Sequence, residues 1–98
     1  MSSPEEVGSA KTWRIVIKSS AAKELAALDS KLDRQRIVAA IASLADNPRP
    51  HGCEKLSGQL DLYRLRSGNF RVIYEIIDDE LLVTVVKVGH RRSIYLKL

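Results

Sequence analysis

The chain has 98 residues, of which 45% are hydrophobic and 29% are charged, enough for one folded core and too apolar for a disordered protein. Its net charge is +4, and residues 63–98 carry seven basic against four acidic side chains. Such a charge attracts phosphate backbones or acidic protein segments. The absence of a long apolar run excludes a membrane-spanning helix. With one cysteine, Cys53, and no signal-peptide pattern at residue 1, we expect a cytoplasmic protein.

Residues 1–11 are rich in Ser, Gly, Pro and Glu without periodicity, which predicts a flexible tail before a single domain spanning residues 12–98. The domain opens with Trp13, Ile15 and Ile17, which alternate with Arg14, Val16 and Lys18, a pattern typical of a strand that ends near Lys18.

Two helices are predicted next. Ser19-Ser20 offers an N-cap hydroxyl, with Glu24 placed to favour the dipole of the first turn. Apolar residues recur with helical spacing in both segments, and Asn47-Pro48 stops the second helix. The residues expected on the apolar stripe are Leu25, Leu28, Leu32, Ile37, Val38, Ile41 and Leu44.

Three strands are predicted at about residues 61–67, 70–77 and 81–89, with the acidic residues 78–80 as the second turn. The order of one strand, two helices and three strands favours an α+β fold. We therefore expect a helical hairpin on one face of a mainly antiparallel sheet, whose last three strands form a meander.

Gly68-Asn69 is a two-residue hairpin signal. Closing the hairpin there puts Arg66 opposite Arg71, with Arg64 on the same face. Like charges facing each other destabilise a sheet, so the cluster favours binding of a phosphate that relieves the repulsion. Two alternatives remain: the arginines simply keep a wet sheet face soluble, or a three-residue loop shifts Arg71 out of register.

Residues 63–74 (YRLRSGNFRVIY) and residues 86–92 (VKVGHRR), followed by Tyr95, resemble the C-terminal half of RelE-type toxins of toxin-antitoxin systems. The strand and helical hairpin before them follow the same order, so the resemblance covers roughly residues 12–95. It implies the RelE-like fold and cleavage of messenger RNA in the ribosomal A site. The implied reaction is attack of a ribose 2′-hydroxyl on the adjacent phosphate, without a metal or other cofactor.

The resemblance also implies roles for individual residues. Arg71 and Arg91 correspond to the arginines that stabilise the phosphate, and Tyr95 corresponds to the tyrosine proposed as base. His90 is the alternative base or acid, because imidazole titrates near neutrality. The residues expected to hold the RNA are Arg64, Arg66, Lys87 and Arg92, the first two acting electrostatically.

Other chemical signals are weaker. His51 and Cys53 lack enough partners for a structural zinc site, and the acidic residues 78–80 are typical of a solvated turn. Trp13 is more typical of a core or interface residue than of a base-stacking platform.

The resemblance implies a RelB-like antitoxin as protein partner, with an acidic or amphipathic segment lying against the helices and sheet. The ribosome and messenger RNA are further implied partners, with messenger RNA as the substrate, and operator DNA is an implied partner through the toxin-antitoxin complex. Two rival hypotheses stay open: a gyrase-inhibiting toxin of the ParE type, which shares the fold, and a non-catalytic member that only binds antitoxin or DNA.

Overall fold

A computed structural model describes residues 12–56 and 61–90. The strands and helices follow one another in the predicted order, with one additional short strand after the second helix. Their bounds are Arg14–Ile17 (β1), Ser19–Ala26 (α1), Lys31–Ser43 (α2), Glu54–Lys55 (β2), Leu62–Ser67 (β3), Phe70–Ile77 (β4) and Leu82–His90 (β5). In the described residues, 12–56 and 61–90, neither helix is long and apolar enough to cross a membrane.

The five strands form one sheet in the order β1-β5-β4-β3-β2. β1 pairs with β5 in parallel, and every other pair is antiparallel. The predicted α+β architecture and the C-terminal meander are confirmed. β2 was not predicted, because two residues are too few to show strand periodicity.

The start of α1 differs from the prediction. The N-cap is Lys18, which makes no side-chain cap, and Ser19 and Ser20 are already helical. Glu24 lies beyond the first turn of the helix and instead binds β5. The serine signal was therefore correct about where the helix begins but wrong about how it is capped.

The second helix has the capping that α1 lacks. The Ser30 hydroxyl accepts a hydrogen bond of 3.1 Å from the backbone N–H of Asp33, so Ser30 is the N-cap of α2. The helix ends at Ser43, before the predicted stop at Asn47-Pro48. Short-range hydrogen bonds from Leu44, Ala45 and Asp46 form a tighter turn there.

The core lies between the helices and one face of the sheet. Its buried members are Ala21, Ile37, Ile41, Leu44, Tyr63, Val72, Tyr74, Ile76, Val83, Val85 and Val88. Leu25 and Leu28 pack against this core. Two predicted stripe residues do not join it, because Leu32 is 54% and Val38 is 51% exposed.

A β-bulge in β5 decides which side chains face the core. Ile73 pairs with Lys87 and Tyr74 pairs with Val85, so Val86 is an extra residue between them. Strict alternation after Val85 would turn Lys87 toward the core. The bulge turns Val88 there instead, where it is 2% exposed.

Candidate functional site

The β3–β4 hairpin has the register that its turn predicts. Of the two turn residues only Gly68 has a positive φ, 61°, the pattern of a type II′ turn. Arg66 pairs with Arg71, and Arg64 pairs with Ile73. Because alternate side chains share a face, the three arginines lie on the face opposite the helices. The alternative of a shifted, three-residue loop is wrong.

The arginines surround a small cavity of about 150 Å³. Its lining consists of Gly52, Glu54, Arg64, Arg66 and Arg71. The loop before β2 supplies Gly52, whose φ of 96° favours glycine. β2 then pairs Glu54 with Arg64, which brings a carboxylate to the arginine cluster. We call this cavity the arginine pocket.

The three cations differ in exposure. Arg64 and Arg71 are half-buried, and the Nη1 atom of Arg71 is fully buried. Arg66 is exposed, and its Nε donates a long hydrogen bond of 3.4 Å to the Gly68 carbonyl. Guanidinium groups at different depths around one cavity can bind an anion from several sides, and their forked donors suit phosphate oxygens.

Glu54 is a part of the arginine pocket that sequence reasoning missed. Its carboxylate forms an ion pair with Arg64. The pKa of Glu54 is lowered, mainly by the hydrogen bond from Arg64 and also by the charges of Arg64 and Arg71. No local pattern marks Glu54, because its role depends on the pairing of a two-residue strand with β3.

Lys87, which was predicted to bind substrate, lies in a different environment. β1 pairs with β5 only as far as Val85, so the following part of β5 lacks β1 at its side. Glu24 of α1 contacts β5 there, accepting hydrogen bonds of 2.8 Å from Lys87 Nζ and 2.9 Å from the Val88 N–H. Lys87 therefore pairs with a helix carboxylate and does not line the arginine pocket.

The remaining predicted site residues come from the end of β5 and the segment after it. His90 is paired with Phe70, and their rings meet edge to face with centroids 5.6 Å apart. Its neighbour Gly89 is the residue opposite Arg71, so the His90 ring does not line the arginine pocket. Arg91, Arg92 and Tyr95 lie outside the described residues.

The signals set aside in the sequence have structural roles. Asp78 pairs with Arg49 at 3.0 Å, and Arg49 also donates to the Tyr63 hydroxyl at 3.0 Å. Cys53 and Trp13 are half-buried against the core. Within residues 12–56 and 61–90, no group of three or more His, Cys, Asp or Glu side chains is arranged to hold a metal ion.

Comparison with known proteins gives a consistent family. A family model described as the ParE toxin of the type II toxin-antitoxin system, parDE, matches residues 15–95. A RelE-like toxin protein of Escherichia coli is 33% identical over 81 residues, which are 81% of this chain and 83% of that protein. The mRNA interferase toxin RelE of Escherichia coli K12 is 34% identical over 60 residues, which are 59% of this chain and 62% of that protein.

Solved structures agree with the sequence comparison. The crystal structure of the archaeal RelE-RelB complex from Pyrococcus horikoshii OT3 matches with a TM-score of 0.75 and 31% identity, covering 84% of this chain and 98% of that chain. The predicted RelE resemblance is thereby confirmed in both sequence and fold. The chain belongs to the RelE family of toxins, within the RelE/ParE toxins of type II toxin-antitoxin systems.

Proposed function

We propose that this toxin is a metal-independent endoribonuclease that cleaves messenger RNA in the ribosomal A site and so inhibits translation in the cytoplasm. The observation that supports the proposal best is the arginine pocket, in which Arg64, Arg66 and Arg71 surround one cavity. The name mRNA interferase, carried by a relative that is 34% identical, points in the same direction.

The proposed reaction needs three groups. A base removes the proton of the ribose 2′-hydroxyl, whose oxygen then bonds to the adjacent phosphorus. Cations stabilise the charge that develops on the phosphate, and an acid protonates the 5′-oxygen as its bond to phosphorus breaks. The products are a 2′,3′-cyclic phosphate and a free 5′-hydroxyl. All three roles can be filled by protein side chains.

We assign the phosphate-stabilising role to Arg71 and Arg91. Arg71 is suited to it because a partly buried guanidinium interacts more strongly with an anion than an exposed one does. Arg64, Arg66 and Arg92 hold the RNA in this proposal. Lys87 joins them only if RNA draws it away from Glu24, so its role in binding substrate stays a prediction.

Two residues compete for the proton-transfer roles. Tyr95 is the base by family resemblance, and guanidinium groups placed close to a tyrosine favour its ionised form. His90 is the alternative, exposed at the end of β5 beside the first strand residue of β4. A bound ribosome would have to turn its ring from Phe70 toward the scissile phosphate.

The test is primer extension on messenger RNA in programmed ribosomes, with free RNA in parallel. Arg71→Ala should lower the cleavage rate by about 100-fold or more, the typical effect of removing a group that stabilises developing charge. Arg36→Ala is the matched control, since it removes an exposed arginine of α2 outside the arginine pocket. Tyr95→Phe and His90→Gln then separate the two candidate bases.

Two results would count against the proposal. One is equal cleavage by Arg71→Ala and Arg36→Ala, and the other is no A-site cleavage by the wild type. A chelator selective for transition metals, which leaves ribosomal Mg²⁺ in place, should not change the rate if the reaction needs no metal ion of its own.

Besides the ribosome and messenger RNA, the proposed partner is a RelB-like antitoxin, through which operator DNA would also be bound. Two apolar cavities of about 570 and 400 Å³ flank Val38, one between α1 and α2 and one between α2 and β1. Lys31 and Arg34 add positive charge to the first cavity. An amphipathic antitoxin segment with acidic flanks would match both features, and the similar solved structures include RelE–RelB complexes.

Gyrase inhibition is the second candidate function, favoured by the ParE description of the matching family model. It needs no nuclease residues. A supercoiling assay with purified gyrase tests it, and inhibition that persists in Arg71→Ala, without any A-site cleavage by the wild type, would favour it over the nuclease.

A further inference from the structure

The carboxylate of Glu54 lies where a phosphate is expected to bind. Glu54 is the only acidic residue among those that line the arginine pocket in the described part of the chain. It pairs with Arg64, and its pKa is also lowered by the charge of Arg71. Glu54 is therefore ionised at neutral pH and cancels part of the positive charge that surrounds the cavity.

Burial is divided unequally between the two partners of this ion pair. The side chain of Arg64 is 20% exposed, whereas that of Glu54 is 61% exposed. Glu54 is also carried by a two-residue edge strand, directly after a loop with a left-handed glycine. The cation is thus held by the sheet, while the carboxylate is the partner that can move away into solvent.

Displacing Glu54 should cost little. The Glu54 carboxylate is 61% exposed, so water solvates it once it leaves, and the entering phosphate takes its place beside Arg64. A phosphodiester carries the same charge as a carboxylate and, like it, offers two charged oxygens to an arginine fork. An entering phosphate can therefore replace Glu54 as the partner of Arg64, but it must compete with it.

We infer that Glu54 is an internal counter-ion of the arginine pocket, which holds Arg64 before RNA arrives and weakens RNA binding until a phosphate displaces it. This inference rests on the proposed function, since it takes the arginine pocket as the RNA phosphate site. It makes Glu54 a residue that sets affinity and not one that reacts.

The experiment measures binding of a fluorescently labelled ten-nucleotide single-stranded RNA to the full chain by anisotropy, at several salt concentrations. Glu54→Gln removes the charge and keeps a similar shape. We expect it to bind about 3- to 10-fold more tightly at low salt, by the Coulomb energy of one nearby charge in a partly solvated site. Its dependence on salt should steepen by roughly 0.7 in the logarithmic slope, since Arg64 becomes available for one more phosphate.

Two control variants separate charge at this position from net charge and from fold. Asp61→Asn makes the same change in net charge and breaks the neighbouring exposed pair with Lys55, outside the arginine pocket. Its affinity should stay within about twofold of the wild type, because Asp61 and its partner Lys55 are both more than half exposed and water screens their charges. Glu54→Asp keeps the charge and should not tighten binding, and thermal midpoints confirm folding.

Tighter binding by Glu54→Gln alone supports the inference. Equal affinities of Glu54→Gln and Asp61→Asn, or weaker binding by Glu54→Gln, overturn it. The outcome does not depend on cleavage, so the inference can fail while A-site cleavage is still observed, and it can hold for a chain that binds RNA without cleaving it.

Discussion

The hydroxyl of Tyr74 donates a 2.8 Å hydrogen bond to the carbonyl oxygen of Pro48, which joins the central strand of the sheet to the loop after α2. Tyr74 is completely buried. Its pKa is raised above the ordinary value of about 10. The main cause is burial, which disfavours the charged phenolate, and the second is a side-chain hydrogen bond with Cys53. The neutral phenol is therefore the form that the fold requires.

This shift predicts a loss of stability at high pH. Above pH 10 the unfolded chain releases the tyrosine proton while the folded chain keeps it, so the free energy of unfolding falls as pH rises, by at most about 1.4 kcal/mol per pH unit. Tyr74→Phe lacks this contribution. Urea unfolding of both proteins between roughly pH 8 and 11 should show their stability difference shrinking with pH, and parallel curves would contradict the prediction.

At the scale of elements, α1 is joined to the end of β5 through one carboxylate. Glu24→Ala removes the acceptor of the Val88 N–H and the partner of Lys87 together. It should lower stability by about 1–2 kcal/mol and increase hydrogen exchange at the Val88 amide. Lys87→Ala is the control, because it leaves the bond from Val88 to Glu24 intact. Equal exchange of this amide in both variants would show that Glu24 does not protect the strand.

At the scale of the whole molecule, the two proposed interfaces lie on different faces. The arginine pocket is on the sheet face away from the helices, and Val38 lies between the two apolar cavities on the helical side. Val38→Glu should therefore weaken binding of the cognate antitoxin by about tenfold or more, because it places a charge in an apolar contact, and should leave A-site cleavage unchanged.

The control for that interface is Arg36→Gln, which changes net charge by the same amount at an exposed position of α2 outside both cavities. Calorimetry with purified antitoxin measures both variants. Unchanged affinity of Val38→Glu would exclude this groove as the antitoxin site, and loss of cleavage would show that the two faces are not independent.

The sequence alone determined the parts of the structure that depend on local rules. A two-residue turn at Gly68-Asn69 sets which residues face each other, so the pairing of Arg66 with Arg71 followed from the turn and the two-residue period. The strands β3 to β5 follow equally local patterns, as do the core positions Ile37 and Ile41.

The tertiary structure alone decided the contacts between segments distant in sequence. Glu54 reaches the arginine pocket only because a two-residue strand pairs with β3, and Lys87 leaves the core face only because of the bulge at Val86. Glu24 can bind β5 at Val88 because β1 pairs with β5 only as far as Val85. These contacts depend on which elements pack side by side, and that is set by the free energy of the whole core, which no local pattern of residues records.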